Sequence, residues 1–264
     1  TLLARILIRT GRLHRLGGDN EQADEMFATA LGRAEALGNA HLALEASLDQ
    51  AISKVWRGEG DSARENLEKV ADRAAGLHNS RAESVALNAL GVHHAQHGDY
   101  EKALKHFQHL ATLCEELGAW QIQADAFNNA GLIYWRWSQY AQALRAFKRA
   151  LPLRRRANDR HGLCATLMNM GIIQEQLGEV GPARRSYRNA GRLARKIGYA
   201  QVLAAVEVNL SNLERRCGTL GAAIVHAQRA CELAQQAGDP AVERDAEHNL
   251  GLALVARGQA AEGR

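Results

Sequence analysis

Residues 127–147 read FNNAGLIYWRWSQYAQALRAF. The stretch sets two asparagines and a glycine inside an otherwise helical pattern. There Gly costs about 1 kcal/mol relative to Ala, and an Asn amide competes with the backbone. The reason lies in the rest of the chain. Gly131 has counterparts at intervals of 40 residues, at Gly11, Ala51, Gly91, Gly171, Ser211 and Gly251, and every one is small. Ser138 belongs to a second register with Gly18, Gly58, Gly98, Gly178, Gly218 and Gly258, which reads as a turn. Ala143 belongs to a third, with Ala23, Ala63, Ala103, Ala183 and Ala223, followed by Gly263. A fixed period of this length marks a repeat array, in which one short supersecondary unit recurs.

Each repeat resolves into two helices. The first ends at a Gly-Asp or Gly-Glu turn, as in HGDYEKALKHF (97–107), where Gly98 supplies a left-handed C-terminal cap and Asp99 is placed to cap the next helix. Ala103, Leu104 and Phe107 then share one face of the second helix and pack it on the first. Phe27, Phe147 and Tyr187 repeat that aromatic, with Leu67 and Ala227 in its place elsewhere. Second helices close at Gly38, Gly118, Gly198 and Gly238, and Pro240 suits the first turn of a new helix. The mid-helix small residue then has a cause, because a missing side chain at a helix crossing lets the pair interlock. Gly60 and Ala51 make the second repeat irregular, and Pro152 is expected to bend its helix.

Small residue, turn Gly, Ala and then aromatic, as in Gly91, Gly98, Ala103 and Phe107 or Gly131, Ser138, Ala143 and Phe147, resembles the tetratricopeptide repeat family. The likeness is to its 40-residue variety, as in kinesin light chain, the spindle-orientation adaptor and bacterial signalling and regulatory proteins. It implies an all-α fold: a right-handed α-solenoid of antiparallel helix pairs, about six pairs over residues 1–40, 41–80, 81–120, 121–160, 161–200 and 201–240, then a capping helix at 241–257, in one array. The chain starts without Met and stops at QAAEGR, and reads as a piece of a longer protein.

In such an array the first helices line a concave groove. Two positions before each small residue stand Arg9, Asp49, Ala89, Asn129, Asn169, Asn209 and Asn249, so four consecutive asparagines share a register; Asn88 and Asn128 lie one residue earlier. The resemblance implies that such a ladder holds an extended peptide by its backbone, since a carboxamide both donates and accepts. The alternative is a local hydrogen bond that ties neighbouring helices together. Helical spacing places Asp125, Asn128, Leu132, Trp135 and Arg136 beside Asn129, Ile172 and Glu175 beside Asn169, and Asn212 and Arg216 beside Asn209. Trp135 with Arg136 is the expected hot spot, both being favoured interface anchors. Trp135 and Trp137, two apart, cannot share a face, so one is expected to pack and the other to face groove or solvent.

The remaining signals bound the function classes. Residues 141–200 carry a net charge of +10 in a chain of +4, with Arg184, Arg188, Arg192 and Arg195 along one second helix beside Arg154, Arg155 and Arg156. A solvated back is one reading, and a docking surface for an acidic protein or nucleic acid the other. Nucleic acid is disfavoured by the lack of interleaved aromatics. His93, His94, His97, His106 and His109 cluster without a metal-binding motif, and Cys114, Cys164, Cys217 and Cys231 form no CxxC pair, so reduced and mostly buried thiols are expected. No enzymatic signature, cofactor motif, leader or membrane-spanning run is legible. The expectation is a cytoplasmic, non-catalytic module for a protein or peptide ligand, with self-association as the rival role.

Overall fold

Thirteen helices of 15 to 18 residues carry the described part of the chain, residues 1–57 and 59–258 of a computed structural model, with no strand among them. Gly58 of the turn register and Gly263 of the alanine register lie outside the described residues. By contacts the chain forms two compact units, Thr1–Ile133 and Tyr134 onward. The first holds α1 (Leu2–Leu16), α2 (Asn20–Ala36), α3 (Ala40–Trp56), α4 (Gly60–Gly76), α5 (Ser80–Gln96), α6 (Tyr100–Glu116) and most of α7 (Trp120–Arg136). The second holds α8 (Tyr140–Arg156), α9 (Arg160–Gln176), α10 (Val180–Ile197), α11 (Ala200–Arg216), α12 (Leu220–Ala237) and α13 (Pro240–Ala256). Two- or three-residue turns join neighbours that pack along each other, which makes them antiparallel. First helices also touch the next first helix, α1 with α3 and α3 with α5 in one unit, α9 with α11 and α11 with α13 in the other.

The turns follow the sequence. Gly98 takes φ 81°, and Ser138, alone in its register without glycine's freedom, takes φ 58°. Asp99 differs from expectation. It stands at the N-cap of α6 but its carboxylate bonds no backbone N–H; it lies 3.3 Å from His94 Nδ1 and 3.4 Å from Lys102 Nζ instead. Pro240 occupies the first turn of α13, where Asp239 caps the N–H groups of Ala241 and Val242. Pro152 lies inside α8 without ending it, and α3 and α4 keep the 17-residue span of their counterparts despite Ala51 and Gly60. All four cysteines are free; Cys114 and Cys164 are buried, whereas Cys217, at the C-cap of α11, is exposed.

The core is built on the small-residue register. A Cβ added at Gly11 or Gly91 would stand 2.7 Å from the ring of Phe27 or Phe107, and one at Gly171 would stand 2.5 Å from Tyr187. These aromatics are essentially fully buried, as are all six register alanines. Where the partner position holds the smaller Leu67, the small residue is Ala51. Gly91→Ala should therefore cost about 1–3 kcal/mol by overpacking. In a Phe107→Leu background the same change should be neutral or stabilising, since it recreates the Ala51/Leu67 pairing and gains helix propensity. Urea unfolding followed by circular dichroism measures the cycle; an equal cost in both backgrounds would assign the glycine another role.

The histidines of α5 and α6 are a second packing feature. His93 and His94 are buried, His93 lies 4.2 Å from His97 between ring centroids, and His94 stacks on His106 at 5.3 Å. Burial, then the neighbouring imidazoles, holds His93 and His106 below the ordinary histidine range; Arg64 adds to the effect on His93 and Asp61 opposes it, and Glu68 opposes the effect on His106. Below about pH 6.5 the unfolded chain binds protons that the folded chain refuses, so stability falls as pH drops from there toward the folded values. The urea midpoint should be lower at about pH 5.5 than at about pH 7.5. Joint His93→Gln and His106→Gln substitution should flatten that difference.

Candidate functional site

Asn129 lies on α7 in the first unit and Asn169, Asn209 and Asn249 on successive first helices of the second, and the four carboxamides do not fare alike. Asn129 Nδ2 donates to Asn88 Oδ1 at 3.2 Å, tying α7 to α5. Asn249, only 4% exposed, directs Nδ2 at the Val208 carbonyl 3.5 Å away and ties α13 to α11. Asn169 is half-buried on α9 and engaged with a neighbour. Asn209, half-buried on α11, has no hydrogen-bond partner among the described residues. In both ties the partner residue is numbered 41 lower, because it sits one repeat back on the adjacent first helix, displaced by one position.

Glu175 and Arg216 show the same displacement. Arg216 Nη1 donates to Glu175 Oε1 at 2.7 Å from α11 to α9, and Tyr187 Oη donates to Glu175 Oε2 at 3.1 Å from α10. Burial and the Glu175 charge together push the Tyr187 phenol far up, and the hydroxyl stays protonated. Asn212 accepts from Arg215 Nη2 at 3.2 Å on its own helix. Asp125 and Asn128 are half-buried and engaged, and the Asp125 charge adds to burial in raising the Cys114 thiol. Trp135 and Arg136 are exposed at the C-terminal end of α7. The expectation that one tryptophan packs is corrected. Trp135 is 36% and Trp137 38% exposed, because Trp137 already lies past the helix end, where the facing rule no longer governs it.

A polar cavity of about 360 Å³ between α1, α3 and α5 was not foreseen. Asp49, 3% exposed and in the ladder register, lies at its floor, where Arg12 reaches both Asp49 at 2.6 Å and Glu45 at 2.8 Å, and Arg15 reaches Asp49 at 3.1 Å. The Asp49 hydrogen bond raises the Arg12 guanidinium above its ordinary range. The signal available was a carboxylate standing where later repeats carry carboxamides, with Arg12 one residue after Gly11.

The basic back is only partly a solvated face. Arg184 forms a two-pronged pair with Glu214, at 2.6 and 2.9 Å, and Thr219 Oγ1 donates to the same carboxylate at 2.6 Å. The Arg184 hydrogen bonds hold Glu214 below the usual carboxylate range. Arg154 is buried and pairs with Asp159, whose other oxygen caps α9 at the Gly162 N–H. Arg155, Arg188, Arg192 and Arg195 are exposed. No group of three or more His, Cys, Asp or Glu among the described residues could hold a metal ion, and none of the described helices is long and apolar enough to cross a membrane.

Among solved structures, the fold matches the signal-transduction ATPase with numerous domains and a tetratricopeptide repeat sensor from Pyrococcus horikoshii. That match has a TM-score of 0.85 at 14% identity and covers 97% of this chain but 39% of that one, so the chain spans well under half of its length. Aspartyl phosphate phosphatase F from Bacillus subtilis matches with a TM-score of 0.74 at 16% identity, over 99% of this chain and 67% of that one. The quorum sensor NprR from B. thuringiensis matches with a TM-score of 0.71 at 16% identity, over 97% and 72%. At such identities the likeness is one of fold alone. No curated protein matches the sequence. The tetratricopeptide repeat family itself matches over residues 42–116 and 122–196, more than half of the chain. With the 40-residue helix pairs and the small-residue crossings, this places the chain in the tetratricopeptide repeat family, a family of protein-interaction modules.

Proposed function

We propose that this chain is the sensor or scaffold part of a signalling or regulatory protein and holds an extended segment of a partner along the face of its first helices. The observation that carries the reading is the Asn209 carboxamide, half-exposed and without a partner among the described residues, in register with Asn169 on the neighbouring first helix. Helices packed about 10 Å apart match roughly three residues of extended peptide at about 3.3 Å each. A carboxamide can pair with both the N–H and the C=O of a peptide unit, which gives affinity without sequence preference. Specificity would come from what borders the register in the second unit: the Glu175–Arg216 pair and Asn212 on α9 and α11. Trp135 and Arg136 are the anchor candidates, being large, exposed and of favoured interface types. The fold likeness to a repeat sensor and a quorum sensor supports the sensor reading.

The rival reading, a structural array that self-associates, draws on Asn129 and Asn249, whose carboxamides join neighbouring helices. The test begins with selection from a displayed library of random extended peptides. Asn169→Ala with Asn209→Ala should weaken the selected peptides roughly tenfold or more, at about 1 kcal/mol for each lost hydrogen bond. Helicity and melting should hardly change. Undiminished binding by the double variant would refute the groove assignment, and a mass that grows with concentration would favour self-association.

A further inference from the structure

On the other side of unit 2, α10 and α12 flank a cleft of about 500 Å³ whose floor is α11. Its composition is uneven. Gly191, Val206 and Leu210 make an apolar base, where α10 packs closely on α11: a Cβ at Gly191 would stand 3.2 Å from Val206 Cγ1. Along the α10 wall run Arg185, Arg188, Arg192 and Arg195, spaced three or four residues apart and so on one helix face. Arg184, one residue out of that file, is the guanidinium taken by Glu214.

The wall is cationic and largely unneutralised. No carboxylate among the described residues forms an ion pair with Arg185, Arg188 or Arg192, and Arg192 instead donates to Asn189 Oδ1 at 2.5 Å. One carboxylate reaches the cleft. Glu207 is 4% exposed and accepts from His226 Nδ1 at 2.6 Å, with Arg229 and Arg195 at 3.7 and 3.8 Å. That buried charge is met by His226 and Arg229 of α12 and by Arg195 of α10, which leaves Arg185, Arg188 and Arg192 for a partner.

We infer that this cleft docks an acidic amphipathic helix of another protein, its carboxylates meeting the Arg185–Arg188–Arg192 file and an aliphatic side chain seated on Gly191, Val206 and Leu210. Two observations favour a protein segment over a nucleic acid. The base is aliphatic and offers nothing for a phosphate, and no Phe, Tyr or Trp lines the cleft for a nucleobase to stack on, its one ring, His226, being tied to Glu207. An acidic helix presents charges at the same three- and four-residue spacing as the arginines, so several pairs can form at once. The inference is independent of the asparagine register and concerns a different face of the molecule.

The test uses the full chain and a labelled synthetic helix with glutamates on one face and leucines on the other. Binding should weaken as salt is raised, and replacing the glutamates by glutamine should cost at least about tenfold. Arg188→Glu with Arg192→Glu, both at exposed positions, should cost a similar factor with an unchanged circular dichroism spectrum. Peptide binding that survives either change, or no binding to the unaltered chain, overturns the inference. So does tighter, Arg188- and Arg192-dependent binding of a labelled RNA or DNA oligonucleotide, which would make the face a phosphate-backbone site. A concentration-dependent increase in mass abolished by the same variant would assign the face to a second copy and likewise overturn it.

Discussion

The helix pairs depend on the contact between the small residue in the middle of a first helix and the residue 16 positions on, which in most repeats is large. At Gly11 with Phe27, Gly91 with Phe107 and Gly171 with Tyr187 the ring occupies the volume a Cβ would need, and the ring is in turn buried. The contact fixes how far one helix slides along the other, because only one residue of the first helix lacks a side chain there. The repeats that lack an aromatic adjust in proportion: Ala51 goes with Leu67, and Ser211, whose counterpart position holds Ala227, uses its hydroxyl on the Ala223 carbonyl at 2.9 Å. Helical propensity lost at glycine is thus offset by interlocking, and the balance is struck repeat by repeat.

A fixed slide within each pair has a consequence for the face of the first helices. Residues 40 apart take equivalent positions on successive first helices, and polar groups 41 apart come into reach, as the side chains of Asn88 with Asn129 and Glu175 with Arg216, and the Val208 carbonyl with Asn249, show. Whether a polar group in the register is available to a partner therefore depends on what stands one repeat earlier and one place over. Asn209 is available because nothing there competes for it.

This separates what the sequence makes legible from what it does not. Helix limits, turns, crossings and the register itself follow from the period, since they reflect backbone placement that recurs with each repeat. The state of an individual side chain does not recur. Asp99 was legible as a cap position, but His94 and Lys102 compete for its carboxylate. Arg184 and Arg154 look like members of a basic surface, yet Glu214 and Asp159 engage them; Asp159 keeps the N-cap position of Asn39, Asn79 and Asp239 and adds a charge for Arg154. The polar cavity around Asp49 escaped notice for the same reason: Arg12, Arg15 and Glu45 have meaning only once the helices are assembled.

Positions of the same register consequently carry different chemistry. The α3 position holds Asp49, buried and neutralised by Arg12 and Arg15; the α7, α9 and α11 positions hold the carboxamides of Asn129, Asn169 and Asn209. A buried carboxylate is tolerable only when paired, and breaking such a pair costs several kcal/mol. A peptide backbone could not displace Arg12 and Arg15 from Asp49 without leaving that charge uncompensated, whereas a half-exposed carboxamide exchanges water for a peptide group at little cost. Glu207 and Glu214 extend the contrast to the opposite side of α11, where Arg184 of α10 engages Glu214 and His226 of α12 engages Glu207. Buried acids therefore hold helices in place in both units, while the Asn209 amide and Arg185, Arg188 and Arg192 of α10 stand outside those ion pairs.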